Sequence, residues 1–216
     1  MDRRRFEQLW RDCADSIDSD WLGACYEEVH ARYTESHRRY HSAGHIAHCL
    51  QQFDAASGLL DDANAVELAV WYHDVVYDIG AIDNEARSAE MFLRHASGQL
   101  SEDMSATVHE LIMVTMHLCS LPATSDQSYL VDIDLSSFGL PRERFLRDSV
   151  NVREEFPHIP DAEFYTKQKK FLLELLGRKH FFFTEFFRNR HEVAACENIS
   201  AYVQKLTDTD LLSSSS

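Results

Sequence analysis

Three clusters of side chains in this sequence have the types and spacing to do chemistry. RRYHSAGHIAH carries His41, His45 and His48, AVWYHDVVYD carries the doublet His73–Asp74, and VDIDLSSFG carries Asp132 and Asp134. Each sets imidazoles or carboxylates in an apolar context, where an ionised group is costly unless it is paired or bound to metal. On a helix the positions i, i+4 and i+7 project from one face, so the three histidines are expected to line up. Two His and two Asp together offer a first-row divalent ion mixed nitrogen and oxygen donors, and two carboxylates balance its charge. The plainer account of the same residues is hydrogen-bonded core histidines and an Asp132 that caps a helix. A His–Asp dipeptide alone is a weak motif. The combination of the three clusters raises the metal to equal standing with that plainer account.

The elements that must position these groups read as helices. Phe6, Leu9, Trp10, Cys13 and Ile17 form one apolar stripe over Arg3–Ile17, and Trp21, Leu22, Cys25, Tyr26, Val29 and Tyr33 form a second. A third helix is expected over His41–Ser57. A fourth is N-capped at Asp61–Asp62 and runs towards Tyr77, so that the His–Asp doublet lies inside it. Further helices are expected over Asn84–Ala96, over Met104–Leu118, from Pro141, from Pro160–Asp161 to Gly177, and from about Thr184 through Val203. Tyr129–Phe138 fits strand or helix by periodicity alone. The run Phe181–Phe183 with Phe186 and Phe187 suits a junction in the core better than a stacking surface for a ligand. The expectation is one all-α domain over residues 1–207, with a frayed tail at 208–216.

Composition sets outer limits. Hydrophobic residues make up 44% and charged residues 26%, a globular balance that excludes wholesale disorder. With 36 acidic against 21 basic side chains and a net charge of −15, the chain lacks the positive surface that a polymeric nucleic acid demands. Only 7 Gly and 4 Pro argue against an all-β fold. MDRRRFEQLW has no apolar core of a secretory signal, and no stretch approaches the roughly 20 apolar residues of a membrane span. Cys13, Cys25, Cys49, Cys119 and Cys196 are odd in number and never spaced CxxC, which points to reduced thiols in a cytoplasmic protein without membrane partners. Of the 12 histidines, His30, His95 and His180 are read as ordinary surface.

The order His…His-Asp…Asp on a helical chain resembles the HD-domain superfamily of metal-dependent phosphohydrolases. RRYHSAGHI, AVWYHDVVYD, NEARSA (84–89), VTMH (114–117), DIDLSSFG and VREEF (152–156) resemble successive blocks of a bacterial family described as predicted metal-dependent HD-type phosphohydrolases. The resemblance covers roughly residues 36 to 206 and implies the helical HD-domain fold. It implies His45, His73, Asp74 and Asp134 as ligands of a divalent ion (Mn, Fe, Co, Ni, Mg or Zn), with Asp132 as the substitute for Asp134. His41 and His117, in matching blocks, are implied as residues lining the site or holding a second metal. Two departures stand out. Tyr77 replaces a Glu that some nucleotidase branches carry three residues after the doublet, and Gln168 or Cys196 stands where the family pattern has Arg.

The activity so implied is hydrolysis of a small, nucleotide-like phosphate ester by a metal-activated water. Asp74 and Glu85 are the candidate catalytic carboxylates, Glu85 orienting or deprotonating the water. Arg38 and Arg153 are the candidate phosphate ligands, because a guanidinium can pair two oxygens at once. Two alternatives remain open: a catalytically weak nucleotide-binding module, which Tyr77 favours, and a di-iron oxygenase using His109 and His117 from one helix face. A homodimer also remains open.

Overall fold

The computed structural model describes residues 1–117 and 121–213. Cys119 and Leu118, the expected end of the sixth helix, lie outside them, as do Ser214–Ser216. Every regular element among the described residues is helical, and none of these helices is long and apolar enough to cross a membrane. The chain forms two compact units, Met1–Asp134 and Leu135–Ser216.

The first unit is built around α4 (Ala63–Tyr72), which starts where the Asp62 carboxylate accepts from the Ala65 amide. Ala65, Val66, Leu68, Ala69, Val70, Trp71 and Tyr72 are all buried, so this helix is apolar around its whole circumference and must be enclosed. It is packed by α1 (Arg3–Cys13), α3 (Ala43–Ala56), α5 (Asn84–Ala96) and α6 (Glu102–Val114), and α1 also packs on α2 (Ser19–Tyr33). Caps of the kind legible in sequence set the starts: Asp2 for α1, Asp18 for α2, Ser42 for α3 and Ser101 for α6. The enclosing contacts are largely aromatic. Phe6 meets Trp71 edge-on at 5.2 Å, and Tyr72 meets Phe92 at 5.3 Å, each such pair adding roughly 0.5–1.5 kcal/mol to the burial itself.

The ambiguous stretch is a helix, α7 (Ser125–Leu135). The Asp126 carboxylate accepts from the Asp61 and Asp62 amides, both at 2.8 Å, so the start of α7 is tied to the start of α4. Leu130, Val131 and Ile133 are buried.

Several expected boundaries shift, with consequences for the site. α3 begins at Ala43, so His41 precedes the helix and does not share a face with His45 and His48. α4 ends at Tyr72, placing His73–Asp74 in the turn that follows. α6 ends at Val114, and His117 lies beyond it with φ +44°. His109 and His117 therefore do not occupy one helix face, which removes the geometric basis of the oxygenase alternative.

In the second unit a 3-10 turn (Ser136–Gly139) precedes α8 (Arg142–Glu154), α9 (Asp161–Leu176), the single turn α10 (Glu185–Phe187), a π-turn (Arg188–Glu192) and α11 (Val193–Ser213). α11 continues well past Val203. The Phe-rich run forms core: Phe181, Phe182 and Phe187 are buried, and the Glu192 carboxylate accepts from the Phe181 and Phe182 amides. Asn198 donates to the carbonyls of Phe138 and Leu140, fixing the 3-10 turn against α11. Gly139 has no room for a side chain, since an added Cβ would lie 2.5 Å from that of His191.

Candidate metal centre

Three helices of the first unit bring the predicted ligands together. His45 projects from the first turn of α3, His73 and Asp74 leave the end of α4, and Asp134 stands in the last turn of α7. His73 keeps helical backbone angles at the C-cap of α4, its amide still donating to the Ala69 carbonyl, so the doublet sits where the helix ends. The Nε2 atoms of His45 and His73 are 3.3 Å apart. Asp134 Oδ1 lies 3.0 Å from His45 Nε2 and 3.5 Å from His73 Nε2, and Asp74 Oδ2 lies 3.6 and 3.4 Å from the same two atoms. Donors about 2.0–2.2 Å from one ion stand about 2.8–3.6 Å from each other on neighbouring tetrahedral or octahedral positions. The observed separations match that range.

The chemistry of the donor set points the same way. His73 Nδ1 lies 3.0 Å from the Val70 carbonyl, an acceptor, so this nitrogen carries the proton and the Nε2 lone pair faces the cluster. Two imidazole nitrogens and two carboxylates then converge, a mixed nitrogen and oxygen set that with its ring lone pairs turned inward suits a divalent ion. Burial lowers the His73 pKa, but the charges of Asp74 and Asp134 outweigh burial and raise it to about 9. Burial likewise opposes ionisation of Asp134, yet His73 and the hydrogen bonds from His117, His45 and His73 hold its pKa well below the usual range.

Asp134 is placed to serve two neighbours. Its Oδ1 faces His45 and His73, while Oδ2 is 2.8 Å from His117 Nε2. The left-handed backbone at His117 costs a non-glycine residue about 1–2 kcal/mol, strain of the kind that collects at functional sites. His41 lines the site differently: its ring stacks on Tyr77 at 4.2 Å and stands 6.1 Å from the ring of His45. Asp132, the substitute ligand, is wholly buried on α7.

The NEARSA block explains how the turn after the doublet keeps its shape. Asn84 bonds both the amide and the carbonyl of Asp78, and Ser88 does the same for Val76. Gly80, with φ +80°, supplies the left-handed step in the intervening loop. Between these braces, in the first turn of α5, is Glu85. Burial pushes its carboxyl pKa up, its own backbone amide and His117 pull it down, and the charges of Asp74 and Asp134 add to the rise. That environment links Glu85 electrostatically to the cluster.

The two arginines expected to meet phosphate do other work. Arg38 is buried, and its guanidinium donates to Glu35 and to the carbonyls of His41, Asp74 and Val75. It is a clamp on the doublet's backbone. Arg153 belongs to the second unit, where it donates to the Phe156 and Ile159 carbonyls and to Asp161. Both corrections have one cause: sequence shows the charge of an arginine and not which carbonyls fold around it.

Cys49, read only as a reduced thiol, packs against the His45 ring, its Sγ 3.6 and 3.8 Å from the two ring nitrogens. His45, Cys49, His73 and Asp134 offer ligand atoms that all lie within 4.8 Å of one another. Burial, reinforced by Asp134 and Asp74, holds the Cys49 thiol well above its ordinary pKa in the ion-free protein. The signal was present in the sequence, since Cys49 follows His45 by four residues. His95, assigned to the surface, is buried between the Tyr72 hydroxyl (2.8 Å) and Glu28 (3.0 Å).

No protein-family model matches this chain, and no curated protein matches it. It is similar in structure to a protein of Lactobacillus plantarum whose crystal structure was solved as a Northeast Structural Genomics target. The TM-score is 0.54 at 14% identity, covering 91% of this chain and 100% of that one. At that identity the likeness speaks for the fold alone.

Proposed function

We propose that this chain is a metal-dependent phosphohydrolase of the HD-domain kind, acting on a small, nucleotide-like phosphate ester. The observation that carries the reading is the convergence of His45, His73, Asp74 and Asp134, in the His…His-Asp…Asp order, at separations suited to one divalent ion. The chemistry such an ion supplies when bound is Lewis-acid polarisation of a phosphoryl oxygen and activation of water near neutral pH.

The chain's own residues do the rest. Val70 and Arg38 orient the doublet, the first through the His73 ring and the second through the carbonyls of Asp74 and Val75. His117 holds Asp134 by its outer oxygen, leaving the inner one for the ion. Glu85 is the proton carrier, because a carboxylate with a raised pKa is a better base near neutral pH than a free one. Water adds to phosphorus, the ester P–O bond breaks, and the water proton passes through Glu85 to the departing alkoxide.

The test is phosphate release from a panel of nucleotides and simple phosphate esters by protein loaded in turn with Mn2+, Co2+, Fe2+, Zn2+ and Mg2+. Release with at least one ion, abolished in His73→Ala together with stoichiometric metal binding, is the expected result. Tight nucleotide binding without release would replace the reading by a binding module. Normal metal content in His73→Ala would overturn the site.

A further inference from the structure

The rings of Tyr40, His41 and Tyr77 form a chain beside the metal centre. Tyr77 stacks on His41 at 4.2 Å with 24° between the planes, Tyr40 meets His41 edge-on at 4.9 Å, and Tyr40 lies 5.1 Å from the ring of His45. Tyr33 and Tyr72 of the same unit are buried, whereas these three residues are only half-buried. Tyr77 is also held in place. His37 Nε2 donates to its carbonyl at 3.0 Å, and the buried Arg38 guanidinium stands 5.6 Å from its ring centre. An aromatic pair fixed in advance and left partly open loses little freedom on binding and suits a planar group laid against it.

Charge limits the rest of the ligand. The first unit holds 24 Asp and Glu against nine Arg and no Lys, so it carries the whole net charge of −15, while the second unit holds 12 of each sign. Seven of those nine arginines are ion-paired to carboxylates of the same unit, and the other two, Arg4 and Arg39, are exposed. One phosphoryl group can sit on the metal, but each further one enters a repulsive field. Stacking draws on no net charge. We propose that the site takes phosphate monoesters with a single phosphoryl group and a planar aromatic ring in the leaving group, and that Tyr77 on His41 is the platform for that ring. The proposal rests on the phosphohydrolase reading and narrows it to one substrate class. It takes nothing from the resemblance, which has Glu at position 77 in some branches.

Full-length protein at fixed free Mn2+ is assayed on AMP, ATP and glycerol phosphate, and binding of the slowly hydrolysed adenosine 5′-thiomonophosphate is titrated separately. The expected wild-type result is a kcat/KM for AMP about tenfold above that for either of the others. In Tyr77→Leu the advantage of AMP over glycerol phosphate should fall about tenfold, through KM, and thiomonophosphate binding should weaken by a similar factor. Tyr77→Phe, which keeps the ring, should restore both. His41→Leu serves if the leucine variant at Tyr77 does not fold. ATP or glycerol phosphate used as well as AMP, or an AMP advantage that survives loss of the ring, overturns the proposal and leaves the phosphohydrolase standing. No release from any ester overturns the phosphohydrolase reading instead, and the titration then decides the platform by itself. Binding weakened in the leucine variant and recovered in the phenylalanine variant upholds it; equal binding in all three proteins, or none, overturns it.

Discussion

Glu85 and His95 show how far an environment changes what a side chain does. A Glu85 carboxyl raised by burial and by two neighbouring carboxylates keeps its proton longer than a free one, which is what a proton carrier near neutral pH requires. Glu85→Gln is expected to lower kcat about 10²–10⁴-fold while metal content stays the same. Phosphate-release kinetics with metal analysis checks this, and an unchanged kcat would remove Glu85 from the proton path. His95 is satisfied as a neutral ring, its Nε2–H donating to Glu28 and its Nδ1 accepting from Tyr72. Burial lowers its pKa below 6.5, and the bonds from Arg94 and then His95 lower that of Glu28 to about 2. Both shifts are depressions, so both contribute stability above the ordinary pKa that is lost as pH falls. His95 acts first, below its ordinary 6.5, and Glu28 follows between 4.5 and about 2. Thermal unfolding of His95→Gln should therefore show a flatter decline from pH ~6.5 to ~5 than the wild type. Identical slopes would mean that His95 does not govern that limb.

At the scale of elements, the centre depends on where helices stop. At the end of α4 the doublet's side chains reach the cluster, and Arg38 from the α2–α3 connection holds the turn by two carbonyls. Arg38→Ala should reduce metal affinity about 10–100-fold and stability by at least ~2 kcal/mol, since buried carbonyls lose their donors. Arg38→Lys should rescue little of either, because an ammonium cannot span the fork of acceptors. Isothermal titration with the metal and chemical denaturation measure the two effects, and full rescue by lysine would reduce Arg38 to a simple charge. The helices themselves were largely legible: Asn84–Ala96 has the same limits in sequence and structure, and Asp62 caps α4 as its position suggested. Periodicity gives the buried face of a helix but not the residue at which the hydrogen-bond ladder breaks. For that reason His41, the doublet and His117 were all placed on helices that stop short of them.

For the whole molecule the relevant quantity is its net charge of −15. An anionic ester approaches such a protein against its field, and a local ion reverses that field only at short range. With metal saturation held constant, kcat/KM for a phosphorylated substrate is expected to rise a few-fold as salt goes from ~0.01 to ~0.1 M, where the Debye length shrinks from about 30 to about 10 Å. Steady-state kinetics across that range is the check, and a fall would mean that attraction at the site dominates the approach. The sequence by itself determined the helical class, the acidic balance and which four polar side chains to look for together, because these depend on composition, local periodicity and the order of a few residues. Only the tertiary structure decided that Cys49 packs against the His45 ring, that Arg38 clamps backbone and Arg153 braces a loop, and that His95 is buried. Each of these depends on which groups from distant segments come within about 3–4 Å, and a linear pattern of residue types carries no such distances.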